Sequence, residues 1–359
     1  MGSRHSGANE QMRQALSMVA PGTPLRDGID RVVRAKAGAL LVLSDDPSVL
    51  GICSGGFLVD APYSPQRLSE LAKMDGAIIL SSDCRRIARA NVHLVPDPTV
   101  PTSETGTRHR TAERVAVSLG VPAISASEEM GVINVYAGGS RHQIQEVGRL
   151  LDRANQALQT LERYKSRLDD AIANLTAVEV EDVATLRDVA AVVQRSEMVH
   201  RVADEIETMI IELGVDARLL RLQLDELYSE IDDEMDLVIS DYLPPGRSAA
   251  ETLEEMSRLD DESVLDLRSA AATLHRSMDS IIDLSDEVAP KGLRLLHRVA
   301  RLPAETAALI ADHFGELSKL QRATTAELMT VTGVDASLAT TVKETLERVT
   351  ESTIFEQYS

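Results

Sequence analysis

From Arg149 to Leu213 the chain contains no glycine and no proline. A run of this length without either residue cannot be assembled from strands and tight turns, which need left-handed or proline-set backbone. It must be helical for most of its course. Within it Ala154, Leu158, Leu161, Lys165, Leu168, Ile172 and Leu175 alternate in steps of four and three, a heptad seam with one polar interruption at Lys165. A second apolar pattern runs through Leu186, Val189, Val193, Val202, Ile206, Met209 and Leu213, and Gly214 ends it. Leu219 to Leu237 continues the helical character, Pro244-Pro245-Gly246 is the clearest linker, and a further acidic helical stretch reaches about Val288. The seam through Leu161, Leu168 and Leu175 is expected to serve contacts between copies of the chain.

Charge divides the sequence further. The net charge is −20 over 359 residues, and the excess sits between residues 146 and 290, the flanking segments being nearly neutral. Three parts are therefore expected: residues 1–145, an acidic helical spine over 146–290, and a tail over 291–359. The acidic middle should not lie along nucleic acid, whereas either end can meet a polyanion. Aromatic residues make up 3% and tryptophan is absent, which argues against a base-stacking platform for single strands. Cys53 and Cys84 are the only cysteines, too few for a disulfide framework or a four-cysteine zinc site. No apolar run approaches the roughly 18 residues that span a bilayer, and Met1 to Glu10 lacks the apolar core of a secretory signal. A cytoplasmic protein without a membrane partner is expected.

The first part reads as α/β. Buried strands are predicted at Gly38–Leu43, Ala77–Leu80, Asn91–Val95, Val121–Ser125 and Val132–Tyr136, each a short apolar run bounded by turn residues. Helices are predicted at Pro65–Met74, with proline near its start, and at Thr107–Leu119, closed by Gly120. Ser54-Gly55-Gly56-Phe57 reads as a turn between strands, and His93 as a packed histidine.

The densest polar cluster is Ser103-Glu104-Thr105-Gly106-Thr107-Arg108-His109-Arg110-Thr111-Ala112-Glu113-Arg114, at the start of the second helix. Hydroxyls, free backbone N–H groups and cationic side chains at a helix N-terminus make an anion site. A second candidate is Asp75-Gly76-Ala77, a carboxylate just before a buried strand, placed to hold a divalent metal or polarise a hydroxyl. Phosphate-binding glycine loops of the Gly-x-x-x-x-Gly-Lys-Ser/Thr and Gly-x-Gly-x-x-Gly kinds are absent, as is a Gly-x-Ser-x-Gly elbow.

Asp75-Gly76-Ala77 followed by Thr107-Arg108-His109-Arg110 resembles the paired signature of the diadenylate cyclase (DAC) domain family. With the acidic helical middle and the tail, the chain resembles the DNA-linked members of that family over nearly its whole length. The resemblance implies a mixed sheet flanked by helices, then an all-α spine and a C-terminal tandem helix-hairpin-helix domain. It implies condensation of two ATP molecules to cyclic di-AMP and two pyrophosphates with Mg²⁺ or Mn²⁺, in a homo-oligomer, an octamer, whose DAC domains face one another. Asp75 would assist the 3′-hydroxyl nucleophile at the metal. Gly76 and Leu94 match adenine-binding backbone positions. Thr107, Arg108, His109 and Thr111 match the phosphate- and metal-binding set, and Ser127 a further phosphate contact. Where some relatives carry basic residues after that serine, this chain has Glu128-Glu129-Met130. A DNA-binding scaffold whose nucleotide domain only senses ATP is the alternative.

The tail holds two similar units, Leu295 to Leu320 and Leu328 to Leu346, each a short helix, a tight turn and a second helix. They resemble helix-hairpin-helix modules, which offer backbone N–H groups to DNA phosphates without reading bases. Gly333, Arg301 and Lys343 are the candidate DNA contacts, with Arg294, Arg298, Lys319 and Arg322 as further basic residues. The turns depart from the motif at Asp335 and at Ala304-Glu305. Branched DNA, which engages several tails at once, is the expected partner.

Overall fold

The computed structural model describes residues 7–128, 131–229, 231–244, 246–274 and 283–357. Glu129 and Met130, and Pro245 of the expected linker, lie outside the described residues. The chain forms two compact units. One holds the chain through Ala157 together with Glu205–Leu224, the other Leu158–Asp204 together with the chain from Asp225.

The first unit begins with helices α1 (Gly7–Met18) and α2 (Pro24–Arg34) and strand β1 (Ala39–Val42). Then come α3 (Pro47–Gly51), β2 (Cys53–Ser54), β3 (Phe57–Pro62), α4 (Pro65–Leu71), β4 (Ala77–Leu80) and β5 (Arg86–Leu94). Helix α5 (Thr107–Leu119) leads to β6 (Ala123–Ala126), β7 (Ile133–Ala137) and β8 (Ser140–Gln143). The strands join in the order β2-β5-β4-β1-β6-β7-β8, with β3 also on β5. Among the described residues only β1 and β4 run parallel; the other strand pairs are antiparallel.

The continuous apolar runs at the centre of the sheet have a physical cause. Both faces are covered, so alternate residues of one strand enter different cores. Leu41, Ile78, Leu80, Ile124, Ile133 and Val135 pack with Leu16, Ile29 and Leu68 of α1, α2 and α4. Leu40, Val42, Ala77, Ile79, Ala123 and Tyr136 pack with Ala112, Val115 and Ala116 of α5. Helix starts are set locally: Thr23 and Ser64 each accept the backbone N–H of the residue three positions on, and proline follows each.

Two long helices follow, α6 (Val147–Val180) and α7 (Leu186–Leu213), as the absence of glycine and proline requires. They are separated at Asp182, which takes φ of +61°, a conformation aspartate tolerates better than most residues. Asp188 then closes the start of α7 by accepting the Thr185 backbone N–H (2.9 Å) and hydroxyl (2.6 Å). Leu161, Leu168 and Leu175 are 0%, 1% and 0% exposed within the single chain. The heptad seam is thus filled intramolecularly, which corrects the expectation that it joins copies.

The second unit continues after a 3₁₀ turn at Gly214–Ala217 and the helix α8 (Arg218–Tyr228), in which the chain crosses from one unit to the other. It contains α9 (Ile231–Tyr242), α10 (Ala249–Ser257), α11 (Asp261–Leu265) and α12 (Leu267–Leu274). In place of continued helix, Thr185 and Glu287 form an isolated antiparallel bridge. The tail consists of α13 (Leu293–His297), α14 (Ala304–Phe314), α15 (Leu317–Arg322), α16 (Thr325–Leu328) and α17 (Ala336–Gln357), around a core that includes Leu296, Ile310, Leu320, Leu328 and Val342.

Arg294 was expected at a DNA-facing surface, but it is 2% exposed. Its guanidinium pairs with Glu179 of α6 and donates to Thr176 (2.9 Å). Tyr242 donates to the same Glu179 (2.6 Å), and Asp241 accepts the Arg294 backbone N–H (3.0 Å) at the start of α13. Burial pushes the Asp241 carboxyl up to about 6, against the pull of the Arg294 and Leu293 amides. Arg294→Met should therefore leave two buried carboxylates without their cation and cost about 3–5 kcal/mol, read as a lowered urea midpoint.

Candidate nucleotide site

Helix α5 begins without the usual protection. Gly106 is its N-cap and offers no side chain, and its first turn carries no carboxylate. The amides of that turn keep their donors for an anion, with cationic side chains beside them. Above them lies a cavity of about 1000 Å³ on the α5 face of the sheet. Asp75, Gly76, Leu94, Thr107, Arg108, His109, Thr111 and Ser127 all line it, so every residue singled out for catalysis or ATP meets in one place.

Local backbone explains the placement. Gly76 has φ of +103°, and a Cβ there would lie 2.8 Å from the Asn91 carbonyl carbon and 2.9 Å from the Val92 backbone. Only glycine lets the approach to β4 lie against β5, and this sets Asp75 at the cavity mouth with its side chain 99% exposed. Gly38 does the same for the cation, since a Cβ on it would lie 2.3 Å from Arg108 Nη1. Arg108 then reaches Asp75 Oδ1 at 3.2 Å and Glu128 Oε2 at 3.6 Å. Thr111 donates its hydroxyl to the Thr107 carbonyl (2.9 Å), which leaves oxygen lone pairs toward the cavity.

The remaining cations of the cluster have other work. Arg110 bends back to the carbonyls of Glu104 and Thr105 (3.4 Å each), and Arg114 donates to the Val100 carbonyl (3.0 Å). Both tie down the loop before α5. His93, expected to be packed, is exposed on β5 and lines the cavity.

Sequence reasoning passed over Asn134, Arg141 and Gln143, which line the β7–β8 end of the same cavity. The signal was polar residues on otherwise buried strands: Asn134 pairs with Ser125 on one side and Gln143 on the other. Asn134 is 5% exposed, and its Oδ1 has no hydrogen-bond partner among the described residues. Glu104 gains a role as well. It accepts from Arg141 (2.8 Å) and from the Tyr136 hydroxyl (3.1 Å). Burial pushes its carboxyl up, but those two hydrogen bonds and the charges of Arg141 and His109 outweigh this and hold it below the usual range.

The donor set suits a divalent cation completed by its substrate. Asp75 offers an exposed carboxylate at the cavity. Mg²⁺ is commonly bound through one or two carboxylates plus substrate phosphates rather than by an all-protein cage.

In the tail, Arg301 (φ +63°) and Gly333 (φ +89°) are both exposed and both shape turns. Asp335 accepts the Leu338 N–H (2.8 Å), so it caps α17 itself. Lys343 Nζ donates to the carbonyls of Ala323 (2.7 Å) and Gln321 (3.4 Å), closing the end of α15. Among the described residues no helix is long and apolar enough to cross a membrane.

Comparison with known proteins fits this geometry. Residues 26–141 match the family described as DisA bacterial checkpoint controller nucleotide-binding, and residues 144–283 match the DisA bacterial checkpoint controller linker region. The DNA integrity scanning protein DisA of Parafrankia sp. is 50% identical over 349 residues, 96% of this chain and 97% of that one. The proteins of the same name from Acidothermus cellulolyticus and Streptomyces coelicolor are each 48% identical, covering 98% of this chain and 96% of theirs. With its nucleotide-binding domain and linker both matched and its length shared almost end to end, this chain belongs to the family of the DNA integrity scanning protein DisA, and it is a diadenylate cyclase.

Proposed function

We propose that each nucleotide-binding domain, residues 1–145, holds one ATP in the cavity beside α5 and that two facing domains join their substrates into cyclic di-AMP. The 3′-oxygen of each ribose forms a bond to the α-phosphorus of the other ATP. The bond from that phosphorus to the bridging oxygen breaks, and pyrophosphate leaves. The observation that carries this reading is the convergence of Asp75 with Thr107, Arg108, His109 and Thr111 around one cavity.

Asp75 orients the 3′-hydroxyl and accepts its proton as the 3′-oxygen bonds to phosphorus. The backbone at Gly76 and Leu94 receives adenine. Thr107, Arg108 and Ser127, joined by Thr111 once its hydroxyl turns from the Thr107 carbonyl, hold phosphate oxygens, where charge grows as pyrophosphate departs. Asp75 and His109, with the substrate phosphates, would hold Mg²⁺ or Mn²⁺, which would supply Lewis-acid stabilisation of that charge. Because the product is two-fold symmetric, two cavities must meet about a two-fold axis. With the α6 seam buried, the large apolar side chains left exposed on the strands among the described residues are Phe57 and Leu58 of β3, 59% and 77% exposed. Assembly of dimers into an octamer completes the reading. Cys53 and Cys84 are free thiols, in keeping with a cytoplasmic setting.

We further read the tail, residues 291–359, as a tandem helix-hairpin-helix domain that binds DNA phosphates through the turns at Arg301 and Gly333, with Lys343, seated on the Ala323 and Gln321 carbonyls, as a further cation. The acidic spine, 146–290, lies between it and the nucleotide-binding part in sequence. Branched DNA engages several tails of one oligomer and so gains avidity. It lowers cyclase activity by favouring an arrangement in which facing sites are misaligned.

The test is to incubate the full-length protein with ATP and Mn²⁺, with and without branched DNA, and to follow cyclic di-AMP. Product that falls as branched DNA is added supports both halves of the reading. Binding of ATP without product would favour a nucleotide-sensing scaffold. DNA affinity should fall steeply with salt, and Arg301→Ala should reduce the salt slope by about 1. An unchanged slope would remove Arg301 from the interface.

A further inference from the structure

Glu212 lies on the last turn of α7, in the region that matches the DisA linker, yet it belongs to the same compact unit as the nucleotide-binding sheet. It is 3% exposed. Its Oε2 is 2.7 Å from His142 Nε2, and its Oε1 accepts the Gln145 backbone N–H, also at 2.7 Å. His142 is in the middle of β8, and β8 ends the sheet, bonded among the described residues only to β7. A four-residue edge strand with one free side opens readily unless something pins it.

What β8 carries makes this pin consequential. Side chains alternate along a strand, so Arg141 and Gln143 share the cavity face and His142 points the other way. Both Arg141 and Gln143 line the cavity, and Arg141 also holds Glu104 at 2.8 Å. Glu104 stands two residues before Gly106, the N-cap of α5. A continuous set of contacts therefore runs from Glu212 through His142 to β8, from Arg141 to Glu104, and on to the turn that presents Thr107, Arg108 and His109.

We propose that Glu212 is a positioning residue of the nucleotide site: by fixing β8 it holds Arg141 on Glu104 and so sets the loop that opens α5. This rests on the reading of the cavity as the ATP site. It means that the nucleotide-binding domain is completed by a residue some seventy positions beyond its last strand.

The test uses full-length variants and a double-mutant cycle. Glu212→Ala should raise the KM for ATP about tenfold and change kcat by less than about twofold, because loop placement affects binding more than the chemical step. Arg141→Ala should raise KM by a similar factor. The double variant should be no worse than about tenfold, since residues that act in series do not add. Glu212→Gln keeps an acceptor for Gln145 and a hydrogen-bonding group for His142, and should restore a KM close to the parent's. His142→Ala, which leaves the Gln145 bond in place, is read in the same cycle with Arg141→Ala, so a Glu212→Ala chain that failed to fold would not end the test. A parent-like KM in Glu212→Ala and His142→Ala overturns the proposal, as does a double variant whose KM rises about a hundredfold. Failure of the ATP-site reading is distinguishable: there, loss of Arg108, His109 and Thr111 would leave ATP affinity unchanged.

Discussion

Asp75→Asn is expected to lower the rate of cyclic di-AMP formation by about a thousandfold or more, while ATP affinity and thermal stability stay near those of the parent. The substitution keeps the shape of the side chain and removes its charge. Asp75 is 99% exposed, so no buried contact is lost, and the 3.2 Å approach of Arg108 can be met by the amide oxygen. What disappears is the negative charge that, on the proposed reading, would orient the ribose hydroxyl and share a metal with the phosphates. A thousandfold corresponds to about 4 kcal/mol of transition-state stabilisation, more than a neutral hydrogen bond supplies in exchange for water. Rates with Mn²⁺ in excess, calorimetric ATP titration and a melting curve check the three parts separately. Near-parent turnover would take Asp75 out of the mechanism.

The sequence was most legible where both faces of an element are buried. β1, β4 and α5 fall where their patterns put them, because apolar runs at a covered sheet centre and a glycine-closed helix leave few alternatives. Edge strands were not legible. β8 reads Ser-Arg-His-Gln, and β3 exposes Phe57 and Leu58; neither shows the alternation of a half-buried strand. Helices α1 and α2 were passed over as well, although Thr23-Pro24 carries a cap and a proline at the first helical position. The asparagine and glutamine on the cavity floor show only once strand register places them side by side.

Charged residues were the hardest to place. Arg294 belongs by composition to a basic surface, yet Glu179, its partner 115 positions away, draws it into the interior. Glu212 looks like one carboxylate among many in an acidic spine, and only the fold brings it to β8. A local window carries no information on such pairs, because the energy that decides them comes from a partner distant in sequence and from burial. The Asp75 and Thr107–Thr111 segments were legible for the opposite reason: each is a contiguous motif, and one cavity joins them.

Replacing Arg108, His109 and Thr111 together by alanine is expected to remove detectable synthesis and to weaken ATP binding by about a hundredfold. Alanine is the best helix former, so α5 itself should survive, and none of the three side chains belongs to its buried face. Two effects then act in the same direction. The phosphates lose a cation, an imidazole and a hydroxyl beside the open amides of the first turn. Asp75 and Glu128 also lose the guanidinium that lies between them, and two bare carboxylates repel a triphosphate. Single replacements should not multiply to the triple effect, since the three residues hold one ligand together. Arg110→Ala is the informative comparison. Arg110 is next in the cluster but donates to the Glu104 and Thr105 carbonyls instead of lining the cavity, so it should weaken binding far less. Calorimetric titration of ATP into the triple variant, with the melting curve as control for folding, measures the outcome. An unchanged affinity would place the phosphate cradle elsewhere; an equal loss in Arg110→Ala would show that loop order, and not direct contact, sets the affinity.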